Sequence, residues 1–346
     1  MADSGNQCGS DSSRRTFLKS GVAAGLGMTA MAGCLGLGGG GGTSNLGLAF
    51  TVPVENIGSL FQVPEIQDQL DNLGSAYELE VSRNSSTPDT LNQMAAGEID
   101  MGLLTTVSYA SAVQQEAVPG NISMIATDFW DAHADYYGFT IYSKGDSDIS
   151  KPEDLEGKKL GVNALGTGIH AVFVKRLQQV GIDPDNDVQF VELGFPNFTA
   201  AINDGRIDAG IYPALFAVQA RGEGFTPVFS SQDAWDEAYP FAYMCASQDA
   251  LEEKQDAFNA WGEDYVNLVD YIYDNRDDVV EWAAAHFELP PPLVDGFFLT
   301  NDDYYRKDVT VDFERLQFIM DDMEALGFLD SSFDVQEYAT NDVVSQ

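Results

Sequence analysis

The sequence predicts an α/β protein built as two related lobes joined by a pair of strands. Short apolar runs alternate with amphipathic ones from Leu46 onward, the pattern of sheets carrying helices on their faces. The phrase G-x-I-D-x-G occurs twice, as Gly97, Ile99, Asp100 and Gly102 and again as Gly205, Ile207, Asp208 and Gly210. Each copy follows a run of helical character, so the repeat reads as one helix-to-strand corner written once per lobe. Two aromatic-rich runs, 136–144 and 239–247, bracket the second repeat. They are expected to carry the chain out of the first lobe and back, as a two-strand hinge.

Taken in order, "LGLAFTVP" at 46–53 and "YELEVSRN" at 77–84 read as strands, the second by its period-two alternation. Thr87 followed by Pro88 reads as a helix N-cap and first helical position, and Gly97 closes that helix. "IDMGLLTT" and "ISMIATDF" are the next strands. The second lobe repeats the scheme with "KPEDLEGKKLGVNALGTG", the helix "HAVFVKRLQQVG", the strand "DVQFVEL", the helix "FPNFTAAINDG" and the strand "IDAGIYPA". Residues 248–346 read as mainly helical and are expected to pack back on the first lobe. In the repeated phrase the first Gly supplies a left-handed cap and Ile plugs the helix–sheet core. Asp is expected to anchor the turn through local backbone bonds, and the last Gly permits close approach. This is scaffolding, and no chemistry is assigned to Asp100 or Asp208.

The charge is extreme. Fifty-five acidic residues stand against 17 basic ones, a net charge of −38 over 346 residues. Most carboxylates cannot be paired and must sit in solvent, where their repulsion opposes compaction unless salt screens it. The composition reads as that of a halophile's protein, with an acidic protein of an ordinary cell as the alternative. A nucleic-acid partner is disfavoured, because phosphate binding needs a basic face. With 44% hydrophobic residues the chain can still bury substantial cores.

The first 45 residues read as an address. Arg14 and Arg15 precede a Gly/Ala-rich apolar run that ends at Cys34, and glycines 38–42 follow. The run is shorter than the ~20 residues that span a bilayer. It is similar to a twin-arginine (Tat) signal, residues 1–33, with a lipobox whose lipidated residue is Cys34; Met31 stands where Leu is usual. A signal cleaved without lipidation is the alternative. Residues 34–45 then form a flexible tether, and Cys245, in an apolar run, reads as a buried small hydrophobe. His133, His170 and His286 are scattered without metal-ligand spacing, so no metal and no cofactor is expected. G-x-S-x-G and P-loop patterns are lacking.

The chain from roughly Leu46 to its C-terminus, most strongly over Lys151–Gln219, resembles the solute-binding proteins of ABC importers, in the nitrate/sulfonate/taurine branch with its thiamine-precursor binders. Asp154, Leu155, Gly157, Lys158, Gly161 and Val162 fit that pattern, as do Gly205, Asp208 and Ala209. The resemblance implies a type II periplasmic-binding-protein-like clamshell with a two-strand hinge. Lobe one would comprise 46–140 plus 245–346, and lobe two 141–244. It implies a non-enzymatic, haloarchaeal-type lipoprotein on the outer face of the cell membrane. Its partners would be a small solute, a membrane permease and its ATPase; it would be monomeric and touch the membrane only through the anchor. A pyrimidine-synthesising enzyme on the same fold, or a sensor for a membrane receptor, is the alternative.

In open α/β sheets ligands sit beyond the carboxyl ends of strands, where helix N-termini offer N–H groups. That rule selects Thr51, Asn56, Thr105, Thr106, Phe129 and Trp130 in lobe one. In lobe two it selects Gly166, Thr167, Gly168, Phe195, Asn197 and Tyr212. The solute's charge stays open between an anion on helix N-termini, a planar heteroaromatic and a caged quaternary ammonium. Arg83, Lys175 and Arg221 are the basic residues near these loops.

Overall fold

The computed structural model describes residues 43–345. Arg14, Arg15 and Cys34, and with them the export signal and anchor, lie outside the described residues.

The chain opens with β1 (Ser44–Phe50), the short helix α1 (Pro64–Gln67), β2 (Tyr77–Arg83), α2 (Thr87–Ala95), β3 (Met101–Thr105), α3 (Thr106–Gln114) and β4 (Ile122–Asp131). It continues with β5 (Thr140–Ser143), β6 (Lys159–Val162), α4 (Gly168–Gln179), β7 (Gln189–Glu192), α5 (Phe198–Asn203), β8 (Ala209–Tyr212), α6 (Ala214–Gly222) and β9 (Thr226–Ser230). It returns through β10 (Tyr239–Ser247) into α7 (Gln248–Glu253), α8 (Gln255–Asp274), α9 (Arg276–His286), α10 (Pro291–Asp295) and α11 (Phe313–Ala325).

Two five-stranded sheets result, ordered β2-β1-β3-β10-β4 and β7-β6-β8-β5-β9. The plans match. In each, three strands run parallel, and the fourth is antiparallel and has just crossed from the other lobe. The aromatic runs expected to bridge the lobes are these crossing strands, although the first is a strand only over Thr140–Ser143. They lie in different sheets and do not pair with each other; β10 runs beside β4, and β5 beside β9.

Asp131 ties the two crossings together. Its carboxylate accepts from Phe139 N at 3.1 Å, Ser231 Oγ at 2.6 Å and Tyr239 Oη at 3.2 Å. Burial pushes its pKa up to about 6, and the donors only partly counter that.

The repeated phrase folds alike in both lobes. Gly97 and Gly205 both have φ of +69°, the left-handed cap. The aspartates do something the local reading did not foresee. Asp100 Oδ2 accepts from Gly47 N, and Asp208 Oδ2 from Lys159 N, both at 2.8 Å. The same aspartates' N–H groups return to the carbonyls of Gly47 and Lys159, at 3.0 and 2.8 Å. Each Asp therefore splices its strand to the neighbouring parallel strand, well outside its own turn. The last glycine makes room for the preceding helix: a Cβ on Gly102 would lie 2.4 Å from Thr90 Cγ2, and one on Gly210 2.9 Å from Phe198 Cδ2.

Other expectations shift by small steps. Ser86, rather than Thr87, caps α2, its side chain accepting from Asp89 N. The strand expected to end at Phe129 runs on to Asp131, which places Phe129 and Trp130 inside a strand. Gly327 ends α11 with φ of +82°, and Cys245 is a fully buried free thiol.

Asp100 also holds Lys254, whose Nζ lies 2.8 Å from its carboxylate. Alanine at Asp208 is expected to cost about 1–2 kcal/mol, and alanine at Asp100 more, because it also strands a half-buried ammonium. Urea unfolding in molar KCl checks the order: a lower midpoint for Asp100→Ala than for Asp208→Ala, both below the parent, at equal slope. Two unaltered midpoints would show that these splices carry no stability.

Candidate functional site

A narrow cavity of about 30 Å³ lies where the two sheets' parallel strands end. The loop after β1 contributes Thr51, Val52, Glu55 and Asn56, and the start of α2 contributes Thr87. Leu103, Thr105, Phe129, Phe139 and Phe241 complete the first wall; Asn163, Thr167, Ile169, Phe195 and Pro213 form the opposite one. The placement follows the rule for open α/β sheets.

The walls touch at helix N-termini. Gly168 N, opening α4, donates to Thr105 Oγ1 of the first lobe at 3.1 Å. Only glycine fits there, since a Cβ would sit 2.6 Å from Phe241 Cζ and 2.7 Å from Thr106 Oγ1. At the start of α6, Leu215 N donates to Glu55 Oε2 at 3.1 Å and Ala214 N to Tyr304 Oη at 3.2 Å. Each bond runs from a lobe-two helix to a lobe-one acceptor.

Beneath the cavity sits a buried charge cluster that sequence reasoning missed. Arg306 is fully buried, its Nη2 2.7 Å from Asp303 Oδ1 and its Nε 3.0 Å from Oδ2. Its guanidinium lies 5.3 Å from the Phe129 ring centre and 5.7 Å from that of Tyr304, which stack on each other at 4.0 Å. Burial alone would lower the guanidinium's pKa; the Asp303 carboxylate more than offsets this, so the group stays charged. Asp128 and Glu55 stand nearby. Burial pushes Asp128 up to about 6 against the help of Arg306 and three hydrogen bonds, from Tyr265 Oη, Ile57 N and Asn56 Nδ2. Glu55, 2% exposed, is pushed up to about 8, again mainly by burial.

Of the residues selected from sequence, Thr51, Asn56, Thr105, Phe129, Thr167 and Phe195 line the cavity. Several are already occupied. Asn56 Oδ1 accepts from Thr51 N, Thr51 Oγ1 and Val52 N, and Thr167 Oγ1 donates to Ala164 O. Thr106 and Gly168 form the interlobe contact behind the wall. Gly166 is a left-handed turn beside it, with φ of +68°. The other three lie apart from the lining. Trp130 faces the C-terminal segment, its Nε1 donating to Asp308 O at 3.2 Å. Tyr212 is buried within lobe two, against Thr199 and Phe198. Asn197 is exposed.

None of the basic residues noted from sequence lines the cavity. Lys175 pairs with Asp322 at 2.7 Å, Arg221 reaches Asp302 at 3.5 Å, and Arg83 Nε donates to Thr51 O at 3.2 Å. Arg83 instead lines an adjoining outer groove that shares Thr51, Val52 and Phe195 with the cavity. Among the described residues no group of three His, Cys, Asp or Glu is placed to hold a metal. No helix among them is long and apolar enough to cross a membrane.

Replacing Asp303 with Ala strands Arg306 as a buried unpaired charge, at an expected cost of about 3–5 kcal/mol. Adding Arg306→Met to that variant should restore a large part, because the uncompensated charge is removed. Denaturant unfolding of both variants checks this; a single variant as stable as the parent would show that the pair is not buried in solution.

Comparison with known proteins agrees with this geometry. The family model described as "NMT1/THI5 like" matches residues 77–263, more than half of the chain. The taurine-binding periplasmic protein of Escherichia coli is 29% identical over 188 residues, covering 52% of this chain and 55% of that protein. The chain thus aligns with about half the length of this curated relative. A ligand-binding component of an ABC-type import system from Staphylococcus aureus superposes with a TM-score of 0.72 at 13% identity, over 88% of this chain and 99% of that one. The alkanesulfonate-binding protein of Xanthomonas axonopodis pv. citri, bound to MOPS, gives 0.71 at 14% identity, over 87% and 99%. These two show the fold. The chain has the two-lobed periplasmic-binding-protein fold and belongs to the NMT1/THI5-like family.

Proposed function

We propose that this protein is the solute-binding component of an ABC importer. It captures a small solute in the interlobe cavity and presents the closed form to a membrane permease driven by a separate ATPase. The observation that carries this reading is the two-sided lining: Thr51, Glu55, Thr105 and Phe129 face Asn163, Thr167 and Phe195 across one space. A molecule held there touches both lobes, so it stabilises the closed arrangement by its differential contacts. The names of the similar taurine- and alkanesulfonate-binding proteins support the class.

The same reading puts lobe one at 46–140 plus 245–346 and lobe two at 141–244. The crossings at 132–139 and 231–238 support the first bound and favour moving the second to about 238, because β10 pairs along its length with β3 and β4. It also places the monomeric body outside the cell membrane, exported through the twin-arginine signal and tethered at Cys34. The phenylalanine walls support a solute with an apolar or planar body, held in a site that performs binding without turnover.

The test is a thermal-shift screen in molar KCl against sulfonates, nitrate, aromatic acids, pyrimidines, amines and betaines. One class is expected to raise the melting temperature with concentration, since a ligand at 100 times its Kd adds about 2.7 kcal/mol. The same solute should be recovered chemically unchanged. Conversion of that solute into product would overturn the binding reading in favour of an enzyme.

A further inference from the structure

We propose that the cavity takes its solute by a protonated amine, seated against the Glu55 carboxyl and the Asn163 amide oxygen and walled by Phe129, Phe139, Phe195 and Phe241. This deepens the proposed function and rests on it.

An inventory of donors and acceptors carries the inference. An oxyanion in such a site needs free N–H groups or a basic side chain. Three of the helix-start amides that face the interlobe region are taken by the chain's own oxygens: Leu215 N by Glu55, Ala214 N by Tyr304 and Gly168 N by Thr105. Ile57 N, opening the 3-10 turn after β1, is taken by Asp128. Among the described residues no Lys, Arg or His lines the cavity. The one fully buried cation among the described residues, Arg306, is forked onto Asp303 through Nε and Nη2 beneath the Phe129 and Tyr304 rings; its Nη1 has no hydrogen-bond partner among them, but the residue lies outside the cavity lining.

What the cavity offers instead is acceptors. Glu55 is the only ionisable lining group among the described residues. Asn163 Oδ1, on the opposite wall, is buried and has no hydrogen-bond partner among the described residues. An acceptor left without a donor is costly, and an N–H of a bound ammonium meets that need. The rings add to this. Phe129 and Phe241 stack at 5.7 Å, and Phe139 lies 4.5 Å from Phe241, so the lining that holds Glu55 also offers an apolar aromatic wall to the ligand's body. Burial holds Glu55 protonated up to about pH 8 when no cation is present. An arriving ammonium replaces that proton, which leaves for solvent, so charge balances.

Two matched pairs of probes isolate the head group: taurine against ethanesulfonate, and 2-phenylethylamine against 2-phenylethanol. Calorimetric titration in molar KCl at pH 7 is expected to show binding by at least one amine, with its amine-free counterpart about 10- to 100-fold weaker. Repeating the titration in buffers of different ionisation enthalpy should reveal proton release. Glu55→Gln, which keeps the shape and still accepts from Leu215 N, should weaken the amine by a similar factor and abolish the release. Asn163→Leu gives a second reading at a position outside the buried charge cluster, with weaker amine binding and an unliganded melting temperature equal to or above the parent's, since it removes an unpaired buried acceptor. Equal or tighter binding of ethanesulfonate or 2-phenylethanol, or binding by neither member of either pair, overturns the head-group assignment. If sulfonates, nitrate or pyrimidines still shift the melting temperature, the solute-binding reading survives that failure; if nothing does, both fall.

Discussion

Arg306 is the one fully buried cation among the described residues, and the interlobe region is organised around it. A guanidinium out of water must be paired and hydrogen-bonded or it destabilises the fold by several kcal/mol. Asp303 supplies the fork, and the Phe129 and Tyr304 rings supply the faces above it. Those rings in turn build the cavity. Phe129 lines it, while Tyr304 accepts from the first amide of α6. Asp128 and Glu55 sit within the field of the same cation and fasten, respectively, the turn after β1 and the start of α6. One ion pair thus sits beneath the first wall and beside the carboxyl and phenol that hold the start of α6.

The surrounding architecture explains how a single cluster can serve two lobes. Each sheet takes its antiparallel strand from the chain that has just crossed over, so both crossings run beside the site. Asp131 binds donors from the two crossings at once. The peripheral contacts follow the same logic. Asp322 of α11 receives both Lys175 Nζ and Trp235 Nε1, so the C-terminal helix reaches across to the second lobe. In a chain with 55 acids and 17 bases, bases placed at such junctions do more than they would on a surface already dense with carboxylates.

The scaffold was largely legible because periodicity and punctuation report it. Alternation marked β2, the glycines at 97 and 205 marked the corners, and the repeat announced the second lobe. The loops beyond the strand ends are legible as a class, and of the residues they select, Thr51, Thr105, Thr167, Phe129 and Phe195 line the cavity. Individual roles were not. Whether a threonine faces the cavity or caps a helix depends on a rotation of one residue that no pattern encodes. Glu55 was hidden by composition, since one buried carboxyl looks like any other among so many solvated ones. Arg306 was hidden by position: it lies far along a tail that reads as helices, and only tertiary folding carries it under β4. Phe139 and Phe241 were read as hinge residues, and the crossing strands bring them to the cavity wall as well.

The central claim is that two lobes close on a small molecule held between them. Gly168 tests it most directly, because the atoms a Cβ there would collide with first belong to Phe241 and Thr106 across the gap. Small-angle scattering would be recorded for the parent and for Gly168→Ala in molar KCl, with and without a solute that raises the parent's melting temperature. The account predicts that the parent contracts on adding solute, whereas the variant stays extended, binds at least about tenfold more weakly and melts at the same temperature when unliganded. Parent and variant contracting alike with equal affinity would contradict it.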